Sequence, residues 1–313
     1  MFAYIVRRIL ATIPVMGVVA LFVFSLLYFS PGDPAAIIAG DLATVDDIEK
    51  IRQQLGLNEP FLVRFSTWLF AILQGDFGNS IFSALPVSTL IGQRLEATIS
   101  LSLTTIVLSV SVAIPLGVLA AARAGGWLDR LVMMFAVLGF SVPVFVLGYV
   151  LIFLFSLELD WLPVQGFVSI REGFWPFLRQ LILPSLALGT IYIALIARMT
   201  RAAMLDVLSQ DYIRTANAKG LGTEKVLLRH ALKNAAVPIV TVVGIGVALL
   251  IGGVVVTESV FAIPGLGRMT VDAILRRDYP IIQGVILMFS FVYVLINLLV
   301  DLSYSLFDPR IRY

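Results

Sequence analysis

The sequence predicts an all-α, polytopic membrane protein with six transmembrane helices, and three observations carry that expectation. Of its 313 residues 59% are hydrophobic and only 13% charged, the mean hydropathy is +0.99, and six long stretches contain no charged side chain. Such a composition lies outside the balance of a soluble domain. An uncharged helix of about 20 residues crosses a hydrocarbon core of roughly 30 Å, and a backbone in lipid satisfies its own hydrogen bonds by coiling. The expected spans are Ile9–Phe29, Ala97–Ala122, Leu131–Leu157, Leu181–Ala197, Ala235–Thr257 and Pro280–Val300.

Net charge is only +2, so its distribution says more than its total. Arg7 and Arg8 precede the first span, Arg123 and Arg130 lie between the second and third, and Arg198, Arg201, Arg214, Lys219, Lys225, Arg229 and Lys233 crowd the fourth connection. The positive-inside rule puts these segments in the cytoplasm, and an even number of spans then puts both termini there. Acids outnumber bases after the first span, which places that loop outside. Arg268, Arg276 and Arg277 after the fifth span break the rule, partly offset by Glu258, Asp272 and Asp278. The expected divisions are an N-terminal segment with the first span (1–30), an external helical loop (31–96), a transmembrane core (97–306) with a cytoplasmic loop at 201–234, and a cytoplasmic tail (307–313). The first apolar run is long for a signal peptide and ends at Ser30-Pro-Gly-Asp-Pro34 without a small-x-small cleavage site, so it reads as a retained anchor. Cysteine is absent, which excludes disulfides and thiolate metal sites.

The external loop is patterned. Thr44 can cap a helix with Asp46 and Asp47 in its first turn, an apolar face of Val45, Ile48, Ile51 and Leu55, and Gly56 as its end. A second helix starts near Pro60, carries Phe61, Phe65, Trp68 and Phe70, and breaks at Gly75-Asp-Phe-Gly78. It is expected to lie at the membrane surface or to pack over the bundle. Glycine and proline recur within the spans, as close helix contacts and kinks require. Asp76, Glu258 and Asp301 stand near span ends and read as end-caps or helix-packing partners.

After Met199 the pattern becomes amphipathic. Asp211 is an expected N-cap for a short helix through Tyr212, Ile213, Thr215, Ala216 and Ala218, with Gly220 turning the chain. Thr223 is an expected cap for another, whose apolar face is Val226, Leu227, Ala231 and Leu232 and whose basic face is Lys225, Arg229 and Lys233. A basic loop at anionic lipid explains the charges, but not the helix–glycine–helix punctuation.

That punctuation resembles the inner-membrane permease subunits of binding-protein-dependent ABC importers, whose cytoplasmic loop carries an Ala-x-x-x-Gly signature, here Ala216 and Gly220. The position two before this alanine, usually acidic, is Arg214 here, and the later Ile-x-Leu-Pro is not matched at its usual spacing. Both departures fit one branch. Tyr212-Ile-Arg-Thr-Ala, Ala218-Lys-Gly-Leu221, Leu228-Arg-His-Ala-Leu232, Asp308-Pro-Arg-Ile-Arg312, Leu55-Gly-Leu57, Trp68, Gly75-Asp-Phe-Gly78, Pro86-Val87 and Phe261-Ala-Ile-Pro-Gly-Leu-Gly267 look like the dipeptide/oligopeptide/nickel permeases. The resemblance implies a type I importer permease fold and a bacterial or archaeal plasma membrane, the inner membrane in a Gram-negative cell. It implies half of a translocation pore for peptides or similar solutes, nickel and glutathione included. It also implies a coupling loop of Tyr212, Arg214, Thr215, Ala216, Lys219, Gly220, Leu221 and Gly222, with Ala216 and Gly220 giving close approach to an ATPase. The implied partners are a second homologous permease, two ATP-binding subunits that hold ATP and Mg, an extracytoplasmic substrate-binding protein and the lipid bilayer, with no nucleic acid.

The residues agree. None of the six apolar stretches contains an ionisable side chain of the kind that ion-coupled transporters keep. No Gly-x-x-x-x-Gly-Lys-Ser/Thr phosphate cradle occurs, so the chain is expected to hold no cofactor and a separate ATPase is implied. An intramembrane protease would need His-Glu-x-x-His or Gly-x-Ser-x-Gly, and neither occurs. The single histidine, His230, sits in the basic helix without catalytic partners. A channel that works without ATP would show a filter motif or a charged ring, and the sequence has neither.

Overall fold

The computed structural model describes residues 2–29, 35–36, 44–54 and 57–307. Its regular elements there are helices: α1 (Phe2–Phe29), α2 (Val45–Gln54), α3 (Phe61–Leu73), α4 (Val87–Ala122), α5 (Trp127–Ser141), α6 (Val144–Glu158), α7 (Phe174–Leu208), α8 (Asp211–Ala218), α9 (223–234), α10 (Ala236–Val260), α11 (Leu266–Arg276) and α12 (Tyr279–Phe307). The single β-bridge among these residues joins Asn79 and Pro86. Five expected spans are continuous helices, α1, α4, α7, α10 and α12, each extending past its uncharged core. At 36 residues α4 is roughly 54 Å long, more than the hydrocarbon needs.

The third span is not one helix. α5 and α6 meet at a bend of 102°. Pro143 has no N–H to give, and its ring drives Val142 out of the helical region to φ −92° and ψ 120°. The fifth span also corrects an expectation. α10 continues past Thr257, so Glu258 lies inside an apolar helix, with none of its side chain exposed.

The described chain forms two compact units, one built on Glu96–Arg268 with residues 2–5 and 295–307, the other on Val6–Leu95 with Met269–Val294. In the first, α7 is the hub: most of its apolar stretch is buried, whereas most of α1 and α12 is not. Leu181, Leu183, Leu188, Ile193 and Ile196 of α7 pack with Leu101 and Ala113 of α4, Ile152 of α6, and Leu250 and Val254 of α10. α5 buries one face, Asp129, Val132, Ala136 and Gly139, at helical spacing.

In the second unit Ala20 and Val23 of α1 and Leu287 of α12 pack with Phe65, Trp68, Leu69 and Ile72 of α3. Phe24 meets the rings of Phe65 and Trp68 at centroid distances of 5.5 and 5.2 Å. The aromatic helix therefore packs against two apolar helices of its unit, one of the two expected placements. α2 begins after Thr44 as expected, while its expected end, Gly56, lies outside the described residues. Asn58 and then Arg52 bond Glu49, which holds that exposed carboxyl below its usual range. Pro60 occupies the N-cap of α3. The chain leaves α3 through Gly75 and Gly78, both at positive φ, and the Asp76 carboxylate accepts from Gly78 N at 2.9 Å.

Candidate functional site

The loop between α7 and α10 is built from α7 downward. Two arginines one turn apart on α7 hold α5. Arg198 lies over the Phe140 ring, 5.4 Å from its centroid. Arg201 forks onto Asp129: Nε donates to Oδ1, and Nη2 donates to Oδ2 at 2.7 Å. The Gly125 N–H also donates to Oδ2, at 2.9 Å. Asp129 is 3% exposed, so its charge is completed inside the chain. Sequence reasoning missed this pair, although Asp129 is the lone acid in the basic 123–130 turn.

Beyond Arg201 the helix ends at Leu208, and α8 starts one residue differently from expectation. Gln210 is the N-cap, at φ −74° and ψ 148°, and Asp211 is the first helical residue. The Asp211 carboxylate turns instead to Arg214, 3.4 Å away. Both side chains are largely in solvent, which makes the pair worth little. Gly222, not Thr223, likewise caps α9. Residues 226–231 of α9 widen into a π-turn, a form found often at functional positions.

Ile213 and Ala216, three residues apart, are the buried face of α8. They pack with Val226 and Ala231 of α9, Met204 of α7 and Ile239 of α10. Of the eight coupling-loop residues expected from sequence, Ala216 alone turns inward. Tyr212, Arg214, Thr215, Lys219, Gly220, Leu221 and Gly222 all face out. The small Ala216 packs against its own chain. Gly220 stands at φ +76°, a left-handed conformation that ends α8, with its N–H donating to Asn217 O at 3.0 Å. A Cβ added there meets nothing within 4 Å, so the requirement is conformational and not steric. His230 is half-buried, and among the described residues no three His, Cys, Asp or Glu side chains cluster to hold a metal.

A second polar constellation lies at the far end of α10. Glu258 Oε1 accepts from Thr98 Oγ1 at 2.5 Å, Oε2 accepts from Arg268 N at 3.0 Å, and Thr98 Oγ1 accepts from Leu266 N at 2.8 Å. A Cβ on Gly265 would stand 2.0 Å from Oε1. Glu258 is thus a packing partner, as one expected reading had it, and it makes no solvated cap. The signal for it was the Phe261–Gly267 motif, whose glycines make room for the carboxylate.

The comparisons match the chain as a whole, from its N-terminal part to its last helices. The profile described as binding-protein-dependent transport system inner membrane component covers residues 113–313, and that of the N-terminal part of such membrane components covers 1–102. The chain belongs to this family. A peptide ABC transporter permease protein of Sinorhizobium fredii, y4tP, is 57% identical over 310 residues, 99% of each chain. A peptide transport system permease protein of Brucella abortus is 46% identical over 313 residues, all of both chains. The glutathione transport system permease protein GsiC of Escherichia coli is 45% identical, again over the full length of both. The MetNI methionine ABC transporter in an inward-facing conformation shares the fold at TM-score 0.59 and 18% identity, covering 70% of this chain and 96% of that one. The inner membrane component is thus a multi-pass plasma-membrane permease with the type I importer fold. It is not an enzyme: the ATPase of such an importer is a separate subunit.

Proposed function

We propose that this permease forms one half of a peptide-translocating pore and takes its power stroke through the α8–Gly220 elbow. The observation that carries the reading is the elbow itself, a glycine-ended helix whose buried face is completed by its own chain and whose outer face offers Tyr212, Arg214, Thr215, Lys219 and Leu221 to a partner. Gly220 and Gly222 keep the backbone bare beside them. In this reading loop 201–234 and both termini are cytoplasmic, and the elbow seats in a cleft of an ATP-binding subunit. The assembly is completed by a second permease of the same kind, two ATP- and Mg-binding subunits and an external substrate-binding protein.

Arg201–Asp129 and Arg198–Phe140 then make α5 follow α7, so closure of the ATPases displaces both together. This chain performs no covalent step. Peptide cargo is supported by the two relatives named for peptides, and the glutathione permease keeps that tripeptide within the same class.

Reconstitution into proteoliposomes with the partner permease, ATPases and binding protein tests the reading. Labelled di- and tripeptides, glutathione and a nickel chelate are supplied in separate arms. ATP-dependent accumulation of peptide or glutathione is expected. Accumulation of nickel alone, or of nothing while the binding protein still stimulates ATP hydrolysis, would overturn the cargo.

A further inference from the structure

The three arginines that break the charge rule after the fifth span raise the question of what Arg276 does. Within the second unit, the turn after α3 is pinned by a buried carboxylate. Asp278, 2% exposed, accepts from Ser80 Oγ at 2.6 Å and from Ile81 N at 3.2 Å. Ser80 N in turn donates to Leu85 O at 2.9 Å, and Val87 N to Gly78 O at 2.9 Å, so the loop is held from both ends. Beside this pin opens a cavity of about 270 Å³ whose charged walls are Arg94, Arg276, Asp272 and Asp278.

Asp278 is already bonded. Arg94, Arg276 and Asp272 have no hydrogen-bond or ion-pair partner among the described residues, although all three line one space. Arg94 is half-buried and Arg276 and Asp272 are exposed, and with no partner for them inside the chain the two guanidiniums and the one carboxylate complement a ligand that bears both charges. An acidic side chain alone would leave Asp272 unmatched, and an ammonium alone would leave both arginines so. The volume lies just below the roughly 300 Å³ at which ordinary ligand pockets begin, which limits the ligand to a short one. Phe82, Leu90, Met269 and Ile281 supply apolar wall for small side chains.

We propose that this cavity binds the two charged ends of a short zwitterionic peptide, with the carboxylate on Arg94 and Arg276 and the ammonium on Asp272. It is a site on the permease itself, separate from the elbow, and the choice of a peptide rests on the cargo reading above.

The test is saturation-transfer NMR on the assembled transporter in nanodiscs without binding protein, with Ala-Ala, its C-terminal amide and its N-acetyl derivative as probes. Ala-Ala is expected to give a saturable signal, with each capped derivative at least tenfold weaker. R94Q/R276Q should abolish the discrimination against the amide, and D272N that against the N-acetyl form, while thermal unfolding shows each variant folded. Equal Ala-Ala binding by wild type and R94Q/R276Q overturns the site. So does loss of binding-protein docking in that variant with peptide binding unchanged, which would make the ligand a protein side chain. Peptide uptake without Ala-Ala binding overturns the cavity site and leaves the cargo reading standing. Ala-Ala binding without peptide uptake supports the site and removes the cargo reading.

Discussion

The two ends of α10 carry polar constellations of opposite kinds. At its C-terminal end Glu258 is sealed: its carboxylate is fully buried and meets Thr98 and Arg268 N inside the chain. At its N-terminal end the elbow turns almost all its polar side chains outward and buries only Ile213 and Ala216. A buried charge is tolerated only when its partners are at hand. Polar groups that face out are satisfied by water and stay available for contact. Glu258 and the Arg201–Asp129 fork hold the bundle together from within, although the fork lies on the helix that leads into the elbow, whose outward side chains are those proposed above to meet a partner.

The largest effect is expected from R201A. It strands the nearly buried Asp129 carboxylate, at a cost of about 3 to 5 kcal/mol. The thermal midpoint in detergent should fall sharply, and the double variant D129A/R201A should recover most of it. If the single and double variants unfold alike, the pair is not the internal lock described.

Next is G265A, whose Cβ would press on the Glu258 carboxylate. Overpacking of this kind costs about 1 to 3 kcal/mol. Unfolding at lower temperature is expected, with the ratio of transport to ATP hydrolysis unchanged in the molecules that fold. A changed ratio at full stability would move Glu258 into the coupling group.

G220V reverses the pattern. A β-branched residue at φ +76° costs about 1 to 2 kcal/mol locally, so insertion and folding should persist. Stimulation of ATP hydrolysis by loaded binding protein should nevertheless fall at least tenfold. Unchanged stimulation would count against the elbow as the port of energy.

The smallest effect is expected from R214A. Removing an exposed ion pair changes stability by less than about 0.5 kcal/mol, while the affinity for the ATPase subunit should weaken severalfold in a pull-down titration. Equal affinity would take Arg214 out of the contact.

The spans were legible because lipid imposes one rule on the backbone and the composition obeys it. The elbow was legible because Gly220 and the alternation of Ile213 and Ala216 with polar neighbours are local signals. What escaped needed partners far away in sequence. Asp129 reads as a surface acid until Arg201, 72 residues on, reaches it. Glu258 reads as the end of a span until Thr98, 160 residues earlier, supplies its donor. The break at Pro143 was written in the sequence, but an uninterrupted apolar run concealed it, since composition carries no direction. The inward turn of Ala216 was hidden in the same way: a small residue suits close contact with either a partner or its own chain, and only the packing decides.

Coupling through the elbow requires that it face the cytoplasm and an ATPase subunit. The chain has no cysteine, so Y212C introduces a single label at a position 44% exposed. Treatment with a membrane-impermeant maleimide should leave intact cells unlabelled, should label inverted vesicles, and should be blocked when the ATPase subunit is added back to stripped vesicles. Labelling in intact cells would contradict the account outright.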